Sequence, residues 1–136
     1  MMEKRDFQDS GYRILSVILV NSQFNRQLNI DFSHGEVSSE VDMGVEYNQP
    51  NPENIFSVYL NLEFKSLRNS ETEVSCTIKM AGVFQKYGEP SLPINDFCQV
   101  NGPAIIFPFI REHISSLSFK AGIGQILLPP LNFTKK

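Results

Sequence analysis

The sequence predicts an α+β fold, a four-stranded antiparallel sheet with one long helix packed on one face. Three stretches, Val37 to Tyr47, Phe56 to Lys65 and Val74 to Met80, alternate apolar and polar residues with a period of two. Beyond Gly102 the apolar residues recur with helical spacing, and no second helical pattern follows. Strands that are apolar on one side need a cover on that side, and a single amphipathic helix placed after them supplies it.

The 136 residues suit one domain spanning 1–136. With 41% hydrophobic and 20% charged residues the composition is that of a globular protein. The net charge is −3 and the twelve Lys and Arg are scattered, which argues against nucleic acid as a partner. Cys76 and Cys98 stand far apart, without metal-knuckle or disulfide-framework spacing. The longest apolar run, Ile14 to Val20, is interrupted by Ser16 and falls well short of the roughly 20 residues of a membrane span. Polar Asn21, Ser22 and Gln23 follow it without a cleavage pattern, so neither membrane insertion nor secretion is expected, and a cytoplasmic location is.

Residues 1–11 are polar, end in Gly11 and read as a loose leader. The first strand, Tyr12 to Arg26, carries Ile14, Leu15, Val17, Ile18, Leu19 and Val20 on both faces, so it needs two covers. Phe24, Leu28, Ile30 and Phe32 continue it to a turn at His34 and Gly35. In the second strand Val37, Val41, Met43, Val45 and Tyr47 share one face, opposite Ser38, Glu40, Asp42 and Glu46. Pro50 and Pro52 make a loop before the third strand, where Phe56, Val58, Leu60, Leu62 and Phe64 lie together. A polar turn at Arg68 to Glu71 leads into Val74, Cys76, Ile78 and Met80, which completes a hairpin.

Gly82 to Val100 reads as a long connection containing Pro90 and Pro93. In the helix, Phe107, Ile110, Ile114, Leu117 and Ala121 form the main stripe, with Ile105, Phe109 and Phe119 off it. Pro103 suits a first turn, Pro108 would bend the helix or mark its start, and Gly122 is a candidate cap. Apolar residues on two flanks of the helix and on two faces of the first strand point to pairing of protomers. Ile105, Phe109, His113, Ile114 and Leu117 are the expected interface residues.

No set of Ser, His and Asp, no metal cluster and no paired carboxylates stand at useful spacing, so no enzyme, cofactor or metal is expected. His113 lacks a positioned nucleophile, and Gly122-Ile123-Gly124 ends a helix where a phosphate loop would open one. A sheet crossed by one helix could also enclose an apolar cavity, so a carrier of lipid or another small hydrophobic ligand is the alternative class.

The segment Gly102-Pro103-Ala104-Ile105-Ile106-Phe107-Pro108-Phe109-Ile110-Arg111-Glu112-His113-Ile114 resembles the opening of the long helix in the SecB family of protein-export chaperones. Leu127-Leu128-Pro129-Pro130-Leu131-Asn132-Phe133 is similar to that family's apolar segment after the helix, and Cys76 to Phe84 to its fourth strand. The resemblance implies a homo-tetramer, a dimer of dimers, that holds unfolded polypeptides in apolar grooves without nucleotide. It places Val41, Met43, Val45, Tyr47, Phe84, Phe97, Leu128, Leu131 and Phe133 at the client-binding surface. The acidic groups by which the family docks on the SecA motor are replaced here by Asn21, Asn25 and Thr77, which argues against SecA as a partner. The sequence stops at Lys136 without the family's second helix and acidic tail, so a shortened member is expected, and an antitoxin is a further possible client.

Overall fold

A computed structural model describes residues 10–126 together with Leu128 and Phe133. Its four antiparallel strands are β1 (Tyr12–Arg26), β2 (Val37–Tyr47), β3 (Ile55–Arg68) and β4 (Glu71–Lys86). They form one sheet in the order β1-β4-β3-β2, so the chain's first two strands are its two edges. A short helix α1 (Ile94–Asp96), a π-helical turn (Phe97–Asn101) and the long helix α2 (Gly102–Lys120) follow.

The β3–β4 hairpin closes through Asn69 and Ser70, whose φ angles of 52° and 67° are those of a type I′ turn, the twist-compatible link between antiparallel strands. Its register sets Phe64 opposite Cys76, Leu62 opposite Ile78, Leu60 opposite Met80 and Phe56 opposite Phe84, all buried. The expected even-numbered faces of these strands are therefore the face that α2 covers.

Helix α2 lays Ile106, Phe107, Ile110 and Ile114 on that face, and its buried stripe ends at Ser118. Leu117, expected on this stripe, is half-buried and packs against the core, whereas the expected ending at Ala121 is corrected, since Ala121 lies past the helix. Ser118 tolerates burial because its hydroxyl donates to the Ser115 carbonyl and accepts from the Ile126 amide. Pro108 sits inside the helix on its exposed face, where water can reach the carbonyl that loses its donor. Gly122, at φ 68°, ends the helix in a Schellman arrangement, with Gly122 N donating to Phe119 O and Ile123 N to Ser118 O.

Strand β4 continues to Lys86, through the point where a loop is expected to begin at Gly82. A Cβ on Gly82 would lie 2.7 Å from the Phe84 ring and 2.9 Å from Ile106 Cδ1. The glycine therefore marks close approach of the helix to the sheet, and the connection shrinks to 87–93. Gly11 is also buried, packed against Pro90, so the leader is ordered at its end.

Candidate functional site: the two apolar edges of the sheet

At the β2 edge, pairing with β3 puts Val41, Met43, Val45 and Tyr47 on the helix side of the sheet, opposite Phe64, Leu62, Leu60 and Val58. These four are half-buried and pack against the core, whereas their partners on β3 are closed off. The helix lies over β3 and β4, so the β2 row forms an apolar shelf beside it. Tyr47 carries a polar group there, its hydroxyl accepting from Gln99 Nε2 at 3.2 Å. The opposite face of the strand is acidic, with Glu40, Asp42 and Glu46 exposed, and Glu46 meets Asn61 and Lys79.

Two expected members of the client-binding set lie elsewhere. Phe84 and Phe97 are 1% and 3% exposed, inside a ring cluster with Phe56 and Tyr12, and present no open surface. Their expected place on a groove is corrected for this protomer, because Tyr12 stacks on Phe97 with centroids 4.2 Å apart. Leu128 is buried, and Phe133 meets Phe107 edge-on at 6.0 Å. Leu131 lies outside the described residues.

At the β1 edge, register shifts after Ile14 and after Leu19 insert bulges, and these rotate apolar side chains to both faces. Ile14, Leu15, Ile18, Leu19 and Val20 are all between 43% and 51% exposed. Beside them runs a helical flank at i, i+4 spacing, Ile105, Phe109 and His113, whose imidazole Nε2 lies 2.8 Å from Ser22 Oγ on β1. Of the expected interface residues, Ile105 and Phe109 are open to solvent, and His113 and Leu117 are half-buried. Ile114 is fully buried against the sheet, because it continues the stripe of Ile110 and not that of Phe109; its expected place at an interface is corrected.

Asn21, Asn25 and Thr77 share the outer face of the sheet, where Asn21 pairs with Lys79, Asn25 with Ser75 and Thr77 with Gln23 and Glu63. Both cysteines are free and buried, and burial pushes the Cys76 thiol up to about 11 and that of Cys98 to about 12. Among the described residues no helix is long and apolar enough to cross a membrane, and no three His, Cys, Asp or Glu side chains gather as a metal set. Sequence reasoning missed Tyr12, since its partners Leu92 and Phe97 are some 80 residues away and no local pattern couples them.

The family profile described as Preprotein translocase subunit SecB matches residues 20–135. A Protein-export protein SecB of Halorhodospira halophila is 36% identical over 94 residues, covering 69% of this chain and 54% of its own length, so the chain spans about half of that relative. The namesake from Hydrogenovibrio crunogenus is 30% identical over 127 residues, covering 93% of this chain and 85% of its own. The fold also superimposes on a Mycobacterium tuberculosis SecB-like chaperone, solved in complex with a ChAD peptide from an antitoxin. The TM-score is 0.78 at 14% identity, over 91% of this chain and 93% of that one.

Proposed function

The chain belongs to the SecB family, whose members are chaperones and not enzymes, and from that membership we propose that it is an ATP-independent holdase for non-native polypeptides. The observation that carries this reading is apolar surface in excess of what one protomer covers, open along the β1 edge and the helix flank beside it, with a half-buried apolar row along the β2 edge. Burial of such surface is non-directional and contributes about 25 cal/mol per Å2, so it selects exposed apolar area and not a particular sequence. The two edges divide the work. The β1 edge and the Ile105/Phe109 flank assemble protomers into a dimer of dimers, and the Val41–Met43–Val45–Tyr47 shelf holds the client. Several shelves on one particle would retain a long chain through effective concentration, without nucleotide.

Work in the cytoplasm belongs to this reading and rests on the family membership alone. Delivery to SecA is not part of this reading, because the outer face offers Asn21, Asn25 and Thr77 without acidic groups at those positions. An antitoxin is included as a client class, supported by the peptide bound to the mycobacterial SecB-like chaperone. The carrier reading loses support from the space between helix and sheet, which Phe56, Leu60, Phe84, Ile106, Ile110 and Ile114 fill.

The test is light scattering of the purified chain combined with titration by a reduced, unfolded polypeptide. A particle of four chains that suppresses aggregation of the titrant is expected. A sealed monomer indifferent to denatured chains, or one that copurifies with stoichiometric lipid, overturns the proposal.

A further inference from the structure

The surface along β1 and the adjoining flank of α2 is apolar except where two polar side chains meet across it. Pairing with β4 sets Leu19 against Met80, Ser22 against Ile78 and Phe24 against Cys76, so Ser22 stands in a row on the helix side of the sheet that is otherwise apolar from Ile14 to Phe24. On α2, Ile105, Phe109, His113 and Leu117 follow one another at i, i+4 spacing, and His113 interrupts that row in the same way. The two interruptions coincide, with His113 Nε2 2.8 Å from Ser22 Oγ. A polar pair on an apolar surface costs desolvation when that surface is covered, unless its hydrogen-bonding groups are met.

Ser22 occupies one side of the imidazole only. A neutral ring has one donor and one acceptor nitrogen, and Nδ1 of His113 has no partner among the described residues. No charged group faces the ring from the sheet, where the helix-side neighbours on β1 and β4 are Leu19, Phe24, Ile78 and Met80. On α2 itself Arg111 lies over the Phe107 ring, and Glu112 lines an open concavity with Pro108 and Ser115 that His113 does not line. Lys120 is exposed at the end of the helix, where Arg26 donates to the Ala121 carbonyl. His113 is therefore a half-buried imidazole held on one side, within a surface whose Leu19, Val20, Ile105 and Phe109 are between 40% and 51% exposed.

We infer that Ser22 and His113 are the registration element of the interface between copies of this chain, and that this interface closes on the neutral imidazole, so that assembly loosens as His113 takes up a proton. A second copy is the occupant because the flank makes two demands at once. Its apolar rows accept any apolar cover, an unfolded client included. The outward ring nitrogen, held in place by Ser22, requires a polar atom at one fixed position, which a folded copy supplies and a client of arbitrary sequence does not. A single polar group in an apolar interface fixes register in this way, at a cost in affinity. Two-fold pairing encloses one such element from each copy. Protonation makes both ring nitrogens donors and encloses a charge that no carboxylate from β1 or β4 faces. Copies apart therefore bind protons more tightly than copies together, and association weakens as pH falls through the imidazole range, from about 8 to about 5. The element rests on the assembled particle of the holdase reading and adds to it the residues that align it and a condition under which it comes apart.

The experiment follows the full chain through its association range by sedimentation velocity at about pH 7.5 and about pH 6, alongside Ser22→Ala, His113→Gln and His34→Gln. Wild-type association should weaken about tenfold at the lower pH. His113→Gln keeps a neutral hydrogen-bonding group and should lose that dependence. His34→Gln, which removes the chain's other histidine from the exposed 27–36 loop, should retain it. Ser22→Ala separates registration from apolar burial. Burial alone predicts tighter association, whereas loss of the bond that aligns the ring predicts association about two- to tenfold weaker at the higher pH. A flat wild-type profile, a His113→Gln profile parallel to the wild type, or equal or tighter association in Ser22→Ala overturns the inference. A chain that stays monomeric yet suppresses aggregation removes the assembly and this element together and leaves the holdase standing. A particle with the expected profile that ignores unfolded polypeptides does the reverse.

Discussion

Arg68 and Glu73 form a nearly buried ion pair across the β3–β4 hairpin, with Arg68 Nε 2.7 Å from Glu73 Oε2 and Nη2 3.3 Å from Oε1. The guanidinium has a second task, since its Nη1 donates to the His34 carbonyl at 2.8 Å and its plane lies over the Phe32 ring. The pair therefore ties the 27–36 loop between the two edge strands to the hairpin in the middle of the sheet.

Removing one partner leaves a desolvated charge, so Arg68→Ala should lose about 3 kcal/mol in urea unfolding. Replacing both, Arg68→Met with Glu73→Leu, should return stability to within about 1 kcal/mol of the parent, because no charge is then stranded. Both variants should speed amide exchange across 27–36, since each lacks the bond to His34 O. An Arg68→Ala chain as stable as the double variant would show that the pair carries no desolvation penalty.

The end of α2 offers a cleaner test of backbone conformation. Gly122 stands at φ 68°, and a Cβ there would meet nothing nearer than Arg26 Nη1 at 4.0 Å. Gly122→Ala therefore fits sterically, and its penalty is conformational alone, about 1 kcal/mol. Arg26, the last residue of β1, donates to the Ala121 carbonyl and places a cation at the helix C-terminus. Arg26→Ala should cost about 1 kcal/mol as well. The two substitutions act on one cap, so thermal melts of the double variant should fall short of the sum. Strict additivity would mean that the guanidinium does not depend on the cap's geometry.

How far these features were legible beforehand depends on the range of the interaction that makes them. Period-two alternation is set by each strand's own pleat, so β2 and the β3–β4 hairpin were readable to within a few residues. The Schellman glycine was readable because a C-cap is local. Gly82 misled, since glycine signals a turn as often as a close approach, and only the Ile106 side chain across the interface decides between them. The burial of Ser118 was not legible, because it depends on an amide eight residues later. At the candidate site the β2 row followed from alternation, but the fate of Phe84 and Phe97 turned on Tyr12, more than seventy residues earlier in the chain, and on a stacked contact that no window of sequence contains.

The β2 shelf can be tested without breaking the fold. Met43 and Val45 are half-buried opposite Leu62 and Leu60, so aspartate at either position would also strain the core. Met43→Thr with Val45→Thr keeps β-favouring residues and removes apolar contact worth about 1 kcal/mol at each position. Affinity for an unfolded polypeptide should fall about tenfold, with particle mass unchanged by light scattering. Asp42→Asn with Glu46→Gln, on the opposite face of the same strand, serves as the control for charge. Undiminished affinity in the threonine pair, or a loss confined to the amide pair, would move the client off the shelf and onto the outer face.

Alkaline pH should expose the buried thiols. Cys98 is fully buried, and burial raises its pKa from 9.0 to about 12; Cys76 is raised to about 11 for the same reason. A thiol whose folded pKa exceeds its unfolded one binds its proton more tightly in the folded state. Its contribution is complete below pH 9.0 and is lost as pH rises through 11 and 12, with each tenfold difference in proton affinity worth about 1.4 kcal/mol. Unfolding free energies measured between pH 8 and about 11.5 should therefore fall more steeply in the parent than in Cys98→Ala, whose lower starting stability reflects lost packing. Comparing slopes removes the tyrosine and lysine titrations common to both chains. Parallel slopes would mean that the Cys98 thiol ionises as readily inside the fold as outside it, and would overturn the desolvation account.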